Sequence, residues 1–132
     1  MSLQSSKPYR YSMAPYERLN AWKLAHKLAL ETYRATAAFP KHELYGLTSQ
    51  VRRAAFSVAL NIAEGSAKRG PREFSRYLNI ALGSLSELTC ALLISKDLGF
   101  LSDDSWKALE ASRNHAGALT WNLYQAIVKK GR

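Results

Sequence analysis

The stretch Tyr45–Gly65, YGLTSQVRRAAFSVALNIAEG, constrains the chain most, because as a helix it carries two faces with different demands. Leu47, Val51, Ala54, Ala55, Val58, Ala59 and Ile62 recur at helical spacing and form one apolar stripe. Gln50, Arg53, Ser57, Asn61 and Glu64 line up on another face at steps of three and four. Small residues run through both, so neighbouring helices can come close. An unpartnered buried polar group costs about 1–3 kcal/mol, so the polar face needs partners from another helix. The expectation is a central helix of a bundle with a paired polar seam. Glu64 and Glu87 read there as structural partners of Arg53 and Asn61.

The rest of the chain supplies the neighbours. Trp22, Ala25, His26, Ala29, Tyr33 and Ala37 follow heptad-like steps, widened by Leu24, Leu28 and Ala35, and Pro40 ends that helix by pushing Phe39 out of the helical region. After the central helix, Gly70 reads as a modest N-cap and Pro71 suits a first helical position. Phe74, Tyr77, Leu78, Ala81, Leu85, Leu88, Leu92 and Leu98 sustain a third stripe, which Gly99 stops. Ser102 caps a fourth helix, with Asp103 and Asp104 at the positive end of its dipole. Trp106, Leu109, Ala116, Leu119, Leu123 and Ile127 form its apolar edge. The spacing predicts helices at about 16–38, 46–67, 71–98 and 103–129, after an arm at 1–14. Short connections make this an all-α, antiparallel up-and-down four-helix bundle.

Composition narrows the function classes. The 132 residues include 19 Lys and Arg against 10 acids, a formal charge of +9. Such an excess points toward nucleic acid or another acidic surface. Cys90 is the lone cysteine, so no intramolecular disulfide forms; its setting among Leu88, Ala91 and Leu92 reads as a packed thiol in a reducing cytoplasm. No run of about 18 apolar residues suggests a membrane span. Residues 1–14 lack the hydrophobic centre of a signal peptide, and Met1–Leu3 are compatible with a cloning scar.

Catalytic signatures are missing. His42-Glu43 begins a zinc-protease pattern that no second His completes, and no Glu-x-x-His repeat of a bundle di-metal site occurs. His26, His42 and His115 are scattered over different segments. The chain reads as non-enzymatic, with no metal and no cofactor.

Cations are the remaining handle. Lys68, Arg69, Arg72 and Arg76 cluster around the start of the third helix, where free N–H groups add positive charge, so they read either as a phosphate site or as a solvated connection. Lys23, Lys27 and Arg34 lie within about 40° of one another on a helical wheel and read as a solvated face or a phosphate-tracking stripe. Arg52 points about 100° away from Arg53 and faces outward or toward another subunit. Tyr9, Tyr11 and Tyr16, with Lys7, Arg10 and Arg18, give the arm an aromatic–basic character, read either as suited to stacking on single-stranded bases or as a tail that is disordered or packs on a neighbouring subunit. Trp22, Trp106 and Trp121 read as core or interface.

FPKHELYGLTSQVRRAAFSVALNIAEG, then KRGPREFSRYLNIALGSLSEL and LGFLSDD, resemble the four-helix-bundle family of proteins from intervening sequences of bacterial 23S ribosomal RNA genes. Accessory variability-determinant proteins of diversity-generating retroelements are related. The resemblance implies a basic bundle that assembles into a ring, commonly a homopentamer, and implies no established activity. It carries two functional expectations. One is non-specific binding of RNA or DNA backbone; the other is a protein scaffold or adaptor, for example for a polymerase or reverse transcriptase. The sequence departs from the family pattern at His42 (often Glu), Ala59 (often Pro) and Gly70 (often a Ser cap).

Overall fold

The computed structural model describes residues 15–131. Four helices, α1 (Asn20–Thr36), α2 (Leu47–Ser66), α3 (Pro71–Asp97) and α4 (Asp103–Lys130), form an all-α four-helix bundle. Helix α2 packs on α1 and α3, and α4 closes the ring of contacts by packing on both α3 and α1. The diagonal pairs, α1 with α3 and α2 with α4, lie farther apart, with no Cα atoms within 8 Å of each other among the described residues.

The helix ends follow local chemistry. Pro71 occupies the first turn of α3. At its other end Gly99 has φ of +81°, and the Phe100 N–H reaches the Ser95 carbonyl at 2.9 Å while the Gly99 N–H reaches that of Lys96 at 2.9 Å. This is a Schellman cap, and it folds Leu101 back into the core. The Ser102 hydroxyl accepts the Ser105 N–H at 3.1 Å to start α4. At α2 the cap comes from Glu43, whose carboxylate accepts the Leu47 N–H at 3.0 Å.

The first helix is shorter than its periodicity predicts. Pro15–Arg18 form a separate 3-10 turn, and Leu19 is extended. That break lets Tyr16 fold edge-on against Trp22, with ring centroids 4.7 Å apart. The stripe is also displaced: Ala21, Ala25, Leu28, Thr32 and Thr36 are buried, whereas His26, Tyr33 and Ala37 are exposed. Reading Thr as polar hid the true face. Thr32 and Thr36 donate to the carbonyls of Leu28 and Thr32, at 2.7 and 2.8 Å, so their hydroxyls enter the core already satisfied.

The apolar stripe of α2 is buried from Val51 to Ile62. On α3, Leu78, Ala81, Leu85, Leu88 and Leu92 are buried, but Leu98 is exposed beyond the last turn. Cys90 is exposed, a correction to the packed thiol expected from its neighbours. Leu88, Ala91 and Leu92 turn inward, and helical geometry points Cys90 away from them. Trp121 is also exposed and stacks on Tyr124. By length and composition an 18-residue window of α3, with mean hydropathy 1.5, is apolar enough to cross a membrane, although no long uninterrupted apolar run marks it. Its apolar face is taken by α2 and α4.

Small residues set the α2–α3 spacing. Ser57 and Ser84 hydroxyls meet at 2.8 Å, and a Cβ on Gly65 would lie 2.7 Å from the Tyr77 Cβ. Gly65→Ala should therefore destabilise by about 1–3 kcal/mol through overpacking. Gly83, mid-helix on α3 with open space around its Cβ position, should gain about 0.5–1 kcal/mol on Gly83→Ala. Urea unfolding of both variants checks the opposite signs. A double-mutant cycle on Arg53 and Glu87, an exposed ion pair across this interface, should return a coupling of about 0.2–1 kcal/mol that shrinks in high salt.

Candidate nucleic-acid interface

The α2–α3 junction is built around a backbone reversal. The Lys68 N–H bonds the Gly65 carbonyl at 3.1 Å, and Gly70 then adopts φ +84°, ψ 158°, a region almost confined to glycine. Gly70 makes no side-chain cap. Gly70 is the N-cap residue of α3, as the sequence suggests, and its carbonyl accepts the Phe74 N–H at 3.3 Å; the turn adds a second reason for glycine there.

That turn gathers the four cations. Lys68, Arg69, Arg72 and Arg76 are all exposed. Tyr77, read from sequence only as part of an apolar stripe, organises two of them. The Arg76 guanidinium lies 4.6 Å from its ring centroid and the Lys68 ammonium 5.5 Å. Arg76 also bonds Glu73 at 3.4 Å, and Lys68 lies 3.8 Å from Glu64. The hydrogen bond and charge of Glu73 raise the Arg76 pKa above its ordinary value. Arg69 and Arg72 form no ion pair among the described residues. The positive end of α3 lies beside them.

The other basic residues do not join this cluster. Lys23, Lys27 and Arg34 are exposed on α1, the helix diagonally opposite α3, and Lys27 pairs with Glu31 at 3.8 Å. Arg52 is tied to α1. Its Nε donates to the Thr36 hydroxyl at 2.8 Å, and another guanidinium N–H donates to the Tyr33 carbonyl at 3.3 Å.

The polar seam divides into separate contacts. Arg53 reaches Glu87 and also Gln50, while Asn61 donates to the Ser57 carbonyl at 2.8 Å and hydroxyl at 2.9 Å. Glu64 is a correction: it pairs with Lys68, one helical turn onward, and not with Arg53 or Asn61. The seam runs along the solvent-facing edge of α2 and α3, where charged side chains stay hydrated.

An apolar groove between α1 and α2 was missed entirely. It encloses about 440 Å³ and is lined chiefly by Trp22, His26, Tyr33, Phe56 and Leu60. Trp22 and His26 stack at 4.9 Å. Trp22, His26 and Tyr33 belong to the apolar stripe read for the first helix, while Phe56 and Leu60 fall on neither face read for the second, since a stripe on a wheel does not say where the neighbouring helix stops. Among the described residues no group of three His, Cys, Asp or Glu side chains is placed to hold a metal ion. Of the arm, Tyr16 and Arg18 lie in the described 3-10 turn, whereas Lys7, Tyr9, Arg10 and Tyr11 lie outside the described residues, as do Met1–Leu3.

Comparison with curated proteins gives no match. A family model, described as 23S rRNA-intervening sequence protein, matches residues 17–121, which takes in α1, α2, α3 and most of α4. With its four-helix architecture and the YGLTSQ and NIAEG segments inside that match, the chain belongs to the 23S rRNA-intervening sequence protein family.

Proposed function

We propose that this chain is a non-enzymatic, cytoplasmic protein that assembles through its apolar α1–α2 face and holds RNA or DNA backbone at the α2–α3 junction. The carrying observation is the exposed group Lys68, Arg69, Arg72 and Arg76, of which Lys68 and Arg76 lie against the Tyr77 ring, at a helix N-terminus with no side-chain cap. Unpaired guanidinium groups match phosphate oxygens. Nothing in the cluster resembles a base-reading element held in a groove, so recognition is of backbone charge and is insensitive to sequence.

Assembly draws on a different face. Leu30, Tyr33, Phe56 and Leu60 are exposed beside the groove, and Leu44 and Tyr45 extend the apolar surface past the start of α2. An apolar surface of this kind favours burial against another chain. Copies joined head to tail through it close into a ring, which the family resemblance makes a pentamer. A second reading rests on the same groove: it recruits a different protein, for example a polymerase, and the positive charge orients that partner.

Binding to structured RNA and to single-stranded DNA should weaken steeply with salt. Replacing Lys68, Arg69, Arg72 and Arg76 together with Ala should keep the circular-dichroism helicity and flatten the log–log salt slope by about 3–4 on duplex. Flat binding curves for the parent protein at low salt would remove nucleic acid and leave the scaffold reading. For assembly, Phe56→Asp with Leu60→Asp should shift the species seen by sedimentation toward monomer. A parent protein already monomeric at micromolar concentration would defeat the ring.

A further inference from the structure

Apart from Trp121, the large apolar side chains left exposed among the described residues fall on two faces. Leu30, Tyr33, Leu44, Tyr45, Phe56 and Leu60 belong to the α1–α2 face, and Ile80, Leu93, Ile94 and Leu98 lie on the outer side of α3. A head-to-tail contact needs two different faces on every copy. We infer that the outer face of α3 is the second of them, and that it seats on the α1–α2 face of another copy of this chain. The inference rests on the assembly reading, which accounts for one face of each copy and leaves its counterpart open.

Shape supplies the first reason. Phe56 stands half exposed between two hollows. The 440 Å³ groove lies toward Trp22 and Leu60, and a hollow of about 390 Å³ lies toward Leu44, Tyr45 and Ser49; Tyr33 and Phe56 line both. The outer stripe of α3 has the reverse relief. Ile80 and Ile94 mark its two ends, about 20 Å apart at the helical rise. Between them Gly83 and Cys90 are exposed and small, and a Cβ on Gly83 would meet nothing within 4 Å. Glu87 shares the stripe, with its charge already met by Arg53.

Register supplies the second. A closed ring is generated by rotation alone, without translation along its axis. Where that axis runs along the helices, two faces can meet only if their features stand at the same level within one chain. Contacts between α2 and α3 give the levels: Ser57 lies beside Ser84, Arg53 beside Glu87 and Gly65 beside Tyr77. On that scale Ile80 is level with Leu60 and the groove. Gly83 and Cys90 bracket the level of Phe56, and Ile94 is level with the start of α2 and the second hollow. Large side chains therefore face hollows, and small ones face the projecting ring.

Charge agrees with this register. Asp97 closes α3 at the carbonyl end, where the helix dipole disfavours an acid, and it has no ion pair among the described residues. Lys41 and Arg52 stand at the same end of the bundle on the α1–α2 side, and neither has a carboxylate partner among the described residues. Seating α3 on the α1–α2 face brings the acid of one copy toward the cations of the next.

Sedimentation of the full chain tests this. Ile80→Asp with Ile94→Asp should keep the circular-dichroism helicity, since both side chains are exposed, and should shift the protein toward monomer. Gly83→Trp has room within the single chain and should lower association by about tenfold or more through collision with Phe56. The deciding measurement mixes the Ile80→Asp/Ile94→Asp variant with the Phe56→Asp/Leu60→Asp variant. Each keeps one working face, so the mixture should form a one-to-one dimer that grows no further. An associated parent protein that the Phe56–Leu60 pair disperses and the Ile80–Ile94 pair does not would overturn this inference and leave the assembly reading standing. Dispersed variants that form no dimer on mixing would overturn it as well. A monomeric parent protein would remove the assembly reading and this inference together.

Discussion

Gly65 approaches Tyr77 so closely that a methyl group in its place would collide with the Tyr77 Cβ and crowd the Phe74 ring. Close contact of this kind, continued by the Ser57–Ser84 hydroxyl pair, holds α2 and α3 together in the most extensive helix pairing of the bundle. Other features depend on that distance. It brings Glu87 within reach of Arg53, and it places the Tyr77 ring beside Lys68 and Arg76. A larger residue on either helix would separate the cations as it separated the backbones.

The bundle also sorts its polar groups by type. The buried polar residues among those described are all Thr or Ser, short hydroxyls that mostly bond to their own helices. Charged side chains lie at the edges and ends, where water reduces their desolvation cost. The two ends of α2 consequently differ in what they offer. At its C-terminal end, cations project freely from a turn that glycine makes possible. At its N-terminal end, Arg52 is held by the Thr36 hydroxyl and the Tyr33 carbonyl.

Legibility in the sequence followed how local the cause was. Pro71, Gly99 and Ser102 act within a few residues of themselves, so the ends of α3 and the start of α4 could be placed closely from them. The start of α1 could not, because the extended Leu19 goes with a contact between Tyr16 and Trp22 that no propensity records. For the candidate site, clustering of Lys68, Arg69, Arg72 and Arg76 was legible because those residues are close in the chain. The part played by Tyr77 was not, since an aromatic at helical spacing looks like core whether it faces inward or carries cations on its ring.

The amino-acid pattern by itself determined an all-α bundle, its four helices, the buried stripe of α2 and the basic junction, because helical periodicity and terminus chemistry are properties of short segments. Only the tertiary structure decided which edges of those stripes face a neighbour. It turned Trp22, His26 and Phe56 into walls of a groove, left Cys90 in solvent, and gave Glu64 to Lys68. It also joined Arg52 to Thr36 across 16 residues and left Thr48 without a partner. The reason is physical: a helical wheel gives the angle at which a side chain leaves its helix, while burial and pairing depend on where the adjoining helix lies.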